Sequence, residues 1–67
     1  MDMRDFIETS VKRHEKMAKD RADAAIELAK QGDYKTAASA LMDAHSLKEL
    51  ADECKLMLEV MEVNCND

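Results

Sequence analysis

Basic side chains are concentrated in one short segment of the chain. Residues 12–21 hold five of them against two acids, Glu15 and Asp20. In a helix, the lysines of this segment share one face, because successive residues are about 100° apart. Clustered basic side chains favour the binding of phosphate groups, as in RNA or a nucleotide. No aromatic residue is interleaved among them to stack on nucleobases. The candidate anion-binding residues are Lys12, Arg13, Lys16, Lys19 and Arg21, with Ser10 and His14 at the same edge.

A second interpretation assigns the same bases to ion pairs within the protein. The net charge of −5 lies in residues 49–67, where Lys55 is the one base, whereas residues 1–48 are balanced. In an antiparallel hairpin, Lys12, Arg13 and Lys16 come beside Glu53, Asp52 and Glu49. Such flanking pairs help to fix the register of two helices or the choice of partner. Both interpretations stay open from the sequence.

Residue patterns that support catalysis are missing from the chain. It contains no glycine-rich phosphate loop and no grouping of Ser, His and Asp. Di-metal helical bundles use Glu three residues before His, and neither His14 nor His45 has one. We therefore expect no enzymatic activity, no catalytic residue, no metal and no cofactor. His14 interrupts an apolar stripe, so it either sets register or acts as a titrating or ligand-binding group.

The cysteines and the N-terminus bear on the cellular compartment. Cys54 and Cys65 are separated by about 16 Å along one helix, too far for an intrachain disulfide. No basic and apolar signal segment opens the chain, and no run of 18 apolar residues occurs. We expect a cytoplasmic protein in which Cys54 is a small buried thiol. A cross-link between subunits through Cys65 is the alternative.

One turn signal, Gly32-Asp33, divides the chain, which has one glycine and no proline. Glycine suits the left-handed position just after a helix, and aspartate suits the N-cap of the next. The sequence predicts helices over about 2–31 and 34–63. Ser46 to Glu49 also fits a capping box, so a break near His45 is the alternative to one continuous second helix.

Two apolar stripes, which we call the seam, agree on how these helices pack. The second helix keeps an unbroken three- and four-residue spacing through His45, which favours continuity. Folding at the turn brings together positions whose numbers sum to about 65 or 66. The sequence therefore predicts an all-α fold, an antiparallel two-helix hairpin in a single domain over 1–67. The seam residues are Met3, Ile7, Val11, His14, Ala18, Ala22, Ala25 and Ala29, facing Ala37, Ala40, Ala44, Leu47, Ala51, Cys54, Leu58 and Met61.

More apolar residues are present than one hairpin can bury. Phe6, Met17, Ala24 and Leu28 form a second stripe, and Leu50, Leu56, Met57, Val60 and Val63 extend that of the second helix. Exposed apolar surface of this kind marks interaction sites. We expect a dimeric four-helix bundle or a higher homo-oligomer. The predicted core and oligomer interface comprises Ile7, Val11, Leu47, Leu50, Cys54, Met57, Leu58 and Met61.

Residues 22–44 resemble the helix-turn-helix of a tetratricopeptide repeat, or the corresponding turn of microtubule-interacting-and-transport domains. The likeness rests on Gly32-Asp33-Tyr34 followed by Ala37 and Leu41, and we interpret it as a generic tight turn between helices. In architecture, the expected dimer is similar to the plasmid RNA-binding protein Rop, a likeness of fold alone.

These observations predict a small non-enzymatic regulatory or interaction protein. We expect a homo-oligomer that binds another macromolecule, most simply a protein, in stoichiometric amounts, as phage and mobile-element regulators or inhibitors do. The alternative is an oligomer that binds RNA or sequesters a nucleotide through the basic face of its first helix.

Overall fold

The chain forms two α-helices, α1 over Met3–Lys30 and α2 over Tyr34–Cys65. The computed structural model describes the backbone of residues 2–65 and the side chains of residues 2–62. The helices pack against each other as a hairpin 55 Å long, which confirms the predicted all-α two-helix hairpin. Helix α2 continues through His45 without a break. The side chains of Val63 and Cys65 lie outside the described residues.

The turn between the helices is closed by hydrogen bonds that follow from its sequence. Gly32 has a φ of +85°, the left-handed conformation predicted for it. The Gly32 amide donates to the Ala29 carbonyl at 3.0 Å, and the Asp33 amide donates to the Leu28 carbonyl at 3.0 Å. This pair of bonds is the Schellman motif that ends a helix. The Asp33 carboxylate caps α2 by accepting from the Thr36 amide at 3.2 Å, as predicted.

Burial along the hairpin follows the two stripes of the seam. Every described seam residue is buried or half-buried except Met3, which stands at the start of α1 and is 64% exposed. Arg4 and Glu62 form an ion pair across the helices, which places the register at a sum of about 66. Most buried residues are alanines, so the helices approach closely. The buried residues are Ile7, Val11, Ala25, Ala37, Ala40, Ala44 and Ala51.

Ala51 has no exposed surface, so a larger side chain at this position tests the close packing of the helices. We expect Ala51→Leu to lower the free energy of unfolding by about 1–3 kcal/mol, because three added carbons must push the helices apart. Ala38→Leu, on the exposed surface of the same helix, is the matched control and should change it by less than about 0.5 kcal/mol. Chemical denaturation followed by circular dichroism measures both. Equal stability of the two variants would contradict a tightly packed seam.

Candidate interaction surfaces

Two opposite faces of the hairpin flank the seam. Residues that directly precede seam residues project to one face, and residues that directly follow them project to the other. Because the helices are antiparallel, equivalent flanks of α1 and α2 lie side by side. We call the preceding flanks the Phe6 face; its large or charged members are Phe6, Arg13, Met17, Arg21, Leu28, Asp43, Leu50, Glu53, Met57 and Val60. We call the following flanks the Leu41 face; it includes Arg4, Glu15, Lys19, Ile26, Leu41, Lys48, Lys55 and Glu62.

The Phe6 face leaves large apolar side chains in solvent. Phe6 is 60% exposed, Leu50 46% and Met57 52%, and Met17 and Val60 are exposed as well. These residues belong to the surplus stripes predicted from the sequence. They lie in the half of the hairpin away from the turn. Leu56, expected with them, is exposed on the outer side of α2.

The predicted core and interface residues divide between the seam and the Phe6 face. Ile7 and Val11 are buried between the helices. Leu50 and Met57 lie on the Phe6 face, where the hairpin does not cover them. The remaining four are half-buried along the seam: Leu47, Cys54, Leu58 and Met61.

The predicted basic cluster is split by the helix into two groups. Lys12, Lys16 and Lys19, which we call the outward lysines, are exposed toward the Leu41 side of α1, whereas Arg13 and Arg21 lie on the Phe6 face. Among the described side chains, none of these five bases forms an ion pair.

Within a single hairpin, the expected pairing of Lys12, Arg13 and Lys16 with Glu53, Asp52 and Glu49 was therefore wrong. Facing positions were assigned by residue number, without their angle around the helix. Lys12 and Lys16 lie about 100° and 140° around α1 from buried Val11, whereas Arg13 lies on the Phe6 face and forms no ion pair with a described side chain. The Glu49 carboxylate instead pairs with the His45 Nε2 at 3.0 Å, within α2.

Ion pairs between the helices occur on the Leu41 face, at residues that lie closer to the seam. Lys55 Nζ donates to Glu15 Oε2 at 3.0 Å, and Arg4 pairs with Glu62. Glu15 follows Val11 by four residues, a rotation of only about 40°, so its side chain reaches α2. The hydrogen bond to Glu15, together with the charge of that carboxylate, raises the pKa of Lys55. These ion pairs could have been predicted from the sequence by comparing the angular position of each charged residue around its helix with that of the seam.

A groove, which we call the Leu41 groove, opens between the helices on the Leu41 face. Its volume is about 840 Å³, and small seam residues, Ala18, Ala22 and Ala44, line it. Leu41, 59% exposed, forms part of its wall. Lys19 and Lys48 line it from α1 and α2. Sequence reasoning did not find this groove, although Leu41 directly follows a seam alanine.

His14 and Ser10, two members of the predicted anion site, lie together. The imidazole Nδ1 is 2.7 Å from the Ser10 carbonyl oxygen and donates to it. Both residues are half-buried. The Nδ1 atom of His14 is therefore hydrogen-bonded within α1. Arg21, the third residue expected at this edge, lies two turns further along the helix.

Comparison of the chain with protein-family models, curated proteins and solved structures finds no match. Neither described helix has a stretch long and apolar enough to cross a membrane. Within the described part of the chain, no three His, Cys, Asp or Glu side chains are grouped so as to hold a metal ion. The geometry described above leaves three candidate interaction sites: the Phe6 face, the Leu41 groove and the outward lysines.

The Lys55–Glu15 pair makes stability depend on pH in the alkaline range. Because folding raises the Lys55 pKa above its ordinary value of 10.5, the stabilisation is fully present below pH 10.5. It is lost as the pH rises through the folded-state pKa. We therefore expect Lys55→Gln to melt at a lower temperature than the unchanged chain at pH 7, with the difference closing at alkaline pH.

Melting temperatures measured from about pH 9 to about pH 12 check this expectation. Lys48→Gln is the matched control, since Lys48 lies on the same face and forms no ion pair with a described side chain. Its difference from the unchanged chain should stay constant. A Lys55→Gln difference that persists at the alkaline limit would argue against the pair as its source.

Proposed function

We propose that the chain is a small non-enzymatic interaction protein, a helical homo-oligomer that binds a macromolecular partner stoichiometrically. The observation that carries this proposal is the exposure of Phe6, Met17, Leu50, Met57 and Val60 on one face of a hairpin. Each such side chain gains about 1.5–3 kcal/mol when fully buried. Association of copies through this face supplies the burial that a single hairpin lacks.

A dimeric four-helix bundle is the simplest closed assembly that covers the Phe6 face. The size of the chain supports it, because 67 residues with an alanine-rich seam bury little apolar area. Joining two hairpins adds a second layer and a shared core between them. A higher homo-oligomer would use the same face.

The Leu41 groove supports the binding of a further partner, because it stays open when the Phe6 face is covered. We assign to it a helix of another protein, with an apolar side and acidic neighbours. The apolar side matches Leu41 and the alanines that line the groove. The acids match Lys19 and Lys48, which line it from both helices and form no ion pair with a described side chain. The protein would act as a regulator by occupying that helix, and a cytoplasmic location remains a prediction.

Self-association through the Phe6 face is tested by one substitution on each face. We expect Leu50→Glu to shift the chain from dimer or larger species to monomer at micromolar concentration, because a buried unpaired carboxylate is costly. Leu41→Glu, an equal change at the groove, should leave the mass unchanged. Sedimentation equilibrium measures the mass, and circular dichroism checks that both variants remain helical.

Three outcomes would count against this assignment. A folded monomer of the unchanged chain at these concentrations removes the homo-oligomer. A loss of mass with Leu41→Glu but not with Leu50→Glu places the self-contact in the groove and leaves no free groove for another protein. An unchanged mass for both variants places the contact between copies outside both faces.

Anion binding is the second candidate function, and the outward lysines favour it. Lys12, Lys16 and Lys19 are exposed on one side of α1 and unpaired among the described side chains. If this function is correct, we expect RNA or a nucleotide to raise the melting temperature of the protein at low salt. The double variant Lys12→Glu, Lys16→Glu should abolish this rise. Lys35→Glu, near the turn, is the charge-matched control. A melting temperature unaffected by either ligand favours the interaction protein.

A further inference from the structure

We propose that the Phe6 face binds a second copy of this chain about a two-fold axis parallel to the helices. In this arrangement α1 of one copy packs against α2 of the other. The inference rests on the proposed self-association and specifies its geometry, which exposed apolar surface alone does not define.

The first observation is a separation of charge between the helices on the Phe6 face. Between Phe6 and Leu28, α1 contributes bases and no acid to this face, Arg13 and Arg21. Between Thr36 and Val60, α2 contributes acids and no base, Asp43 and Glu53. All four are exposed, and none forms an ion pair with another described side chain.

This separation discriminates between the two symmetric ways of stacking hairpins. A two-fold axis perpendicular to the helices places α1 on α1 and α2 on α2. No register then brings a base of one copy opposite an acid of the other, so the charges do not favour association. An axis parallel to the helices places α1 on α2, so opposite charges face each other on both sides of the bundle.

The register then follows from symmetry without further choice. Rotation about an axis parallel to the helices keeps every residue at its own height along the bundle. Residues at one height have numbers that sum to about 66, as Arg4 and Glu62 show. Arg13 therefore meets the partner's Glu53, and Arg21 comes within two residues of the partner's Asp43. Symmetry makes each pair twice.

The apolar residues meet one another under the same operation. Phe6 comes opposite the partner's Val60, and Met17 comes opposite the partner's Leu50. These four exposed apolar side chains are thus buried against one another, while the charges lie against opposite charges. Charge and hydrophobicity, two independent properties of the sequence, agree on one geometry. The Leu41 groove stays on the outside of the resulting bundle.

Charge reversal on the full-length chain tests this geometry. Arg13→Glu and Glu53→Arg should each raise the dimer dissociation constant about tenfold at low salt, because each reverses two symmetric pairs. Mixing the two variants in equal amounts should restore dimers of near-original affinity, since each substituted site then faces an opposite charge. Lys12→Glu, the same charge change at the neighbouring outward residue, should leave the constant unchanged. Sedimentation equilibrium measures each constant.

The mixture distinguishes contacts between chains from contacts within one chain. An ion pair within a hairpin would not be restored by mixing, so recovery supports the proposed geometry. Dimers of the unchanged chain that neither single variant weakens, or that mixing does not restore, overturn the geometry and leave self-association standing. Equal weakening by Lys12→Glu also overturns it. A monomeric unchanged chain overturns the geometry and the proposed homo-oligomer together.

Discussion

The close contact of two helices through alanine is the interaction on which the rest of the molecule depends. Ala37, Ala40, Ala44 and Ala51 are buried with little side-chain volume, so the helix backbones come near each other. Alanine also removes little apolar area from water, so the contact is geometrically tight but contributes little burial. The larger seam residues, such as Ile7 and Val11, lie toward the open end. A hairpin built in this way holds its shape through packing and is short of hydrophobic stabilisation.

That shortage explains why both faces of the hairpin carry exposed apolar groups. Large side chains that do not fit between closely spaced helices must stand beside the seam, as Leu50 does on one face and Leu41 on the other. The charges follow the same division. Ion pairs such as Lys55–Glu15 tie the helices together on the Leu41 face, whereas Arg13 and Glu53 stay unpaired with described side chains on the Phe6 face. One face thus supports the hairpin internally, and the other leaves both its apolar and its charged side chains exposed.

Local sequence signals predicted the elements of the fold. Gly32 and Asp33 mark the turn because few residues accept a left-handed backbone, and few side chains cap a helix as aspartate does. The three- and four-residue spacing predicted which residues are buried between the helices, because burial repeats with the helical turn. The same spacing did not predict the ion pairs. Charged side chains reach across a hairpin only from particular angles, which residue numbering along the register ignores.

The sequence by itself determined the two helices, their turn and the stripe that joins them, since each depends on neighbours within a turn or two. Only the tertiary structure decided which residues share a face. It opened a groove beside Leu41 that both helices line. The physical reason is that a surface is built from both helices at once. Its members come together through the pairing and the closeness of the two helix axes, which a spacing read along one helix does not contain.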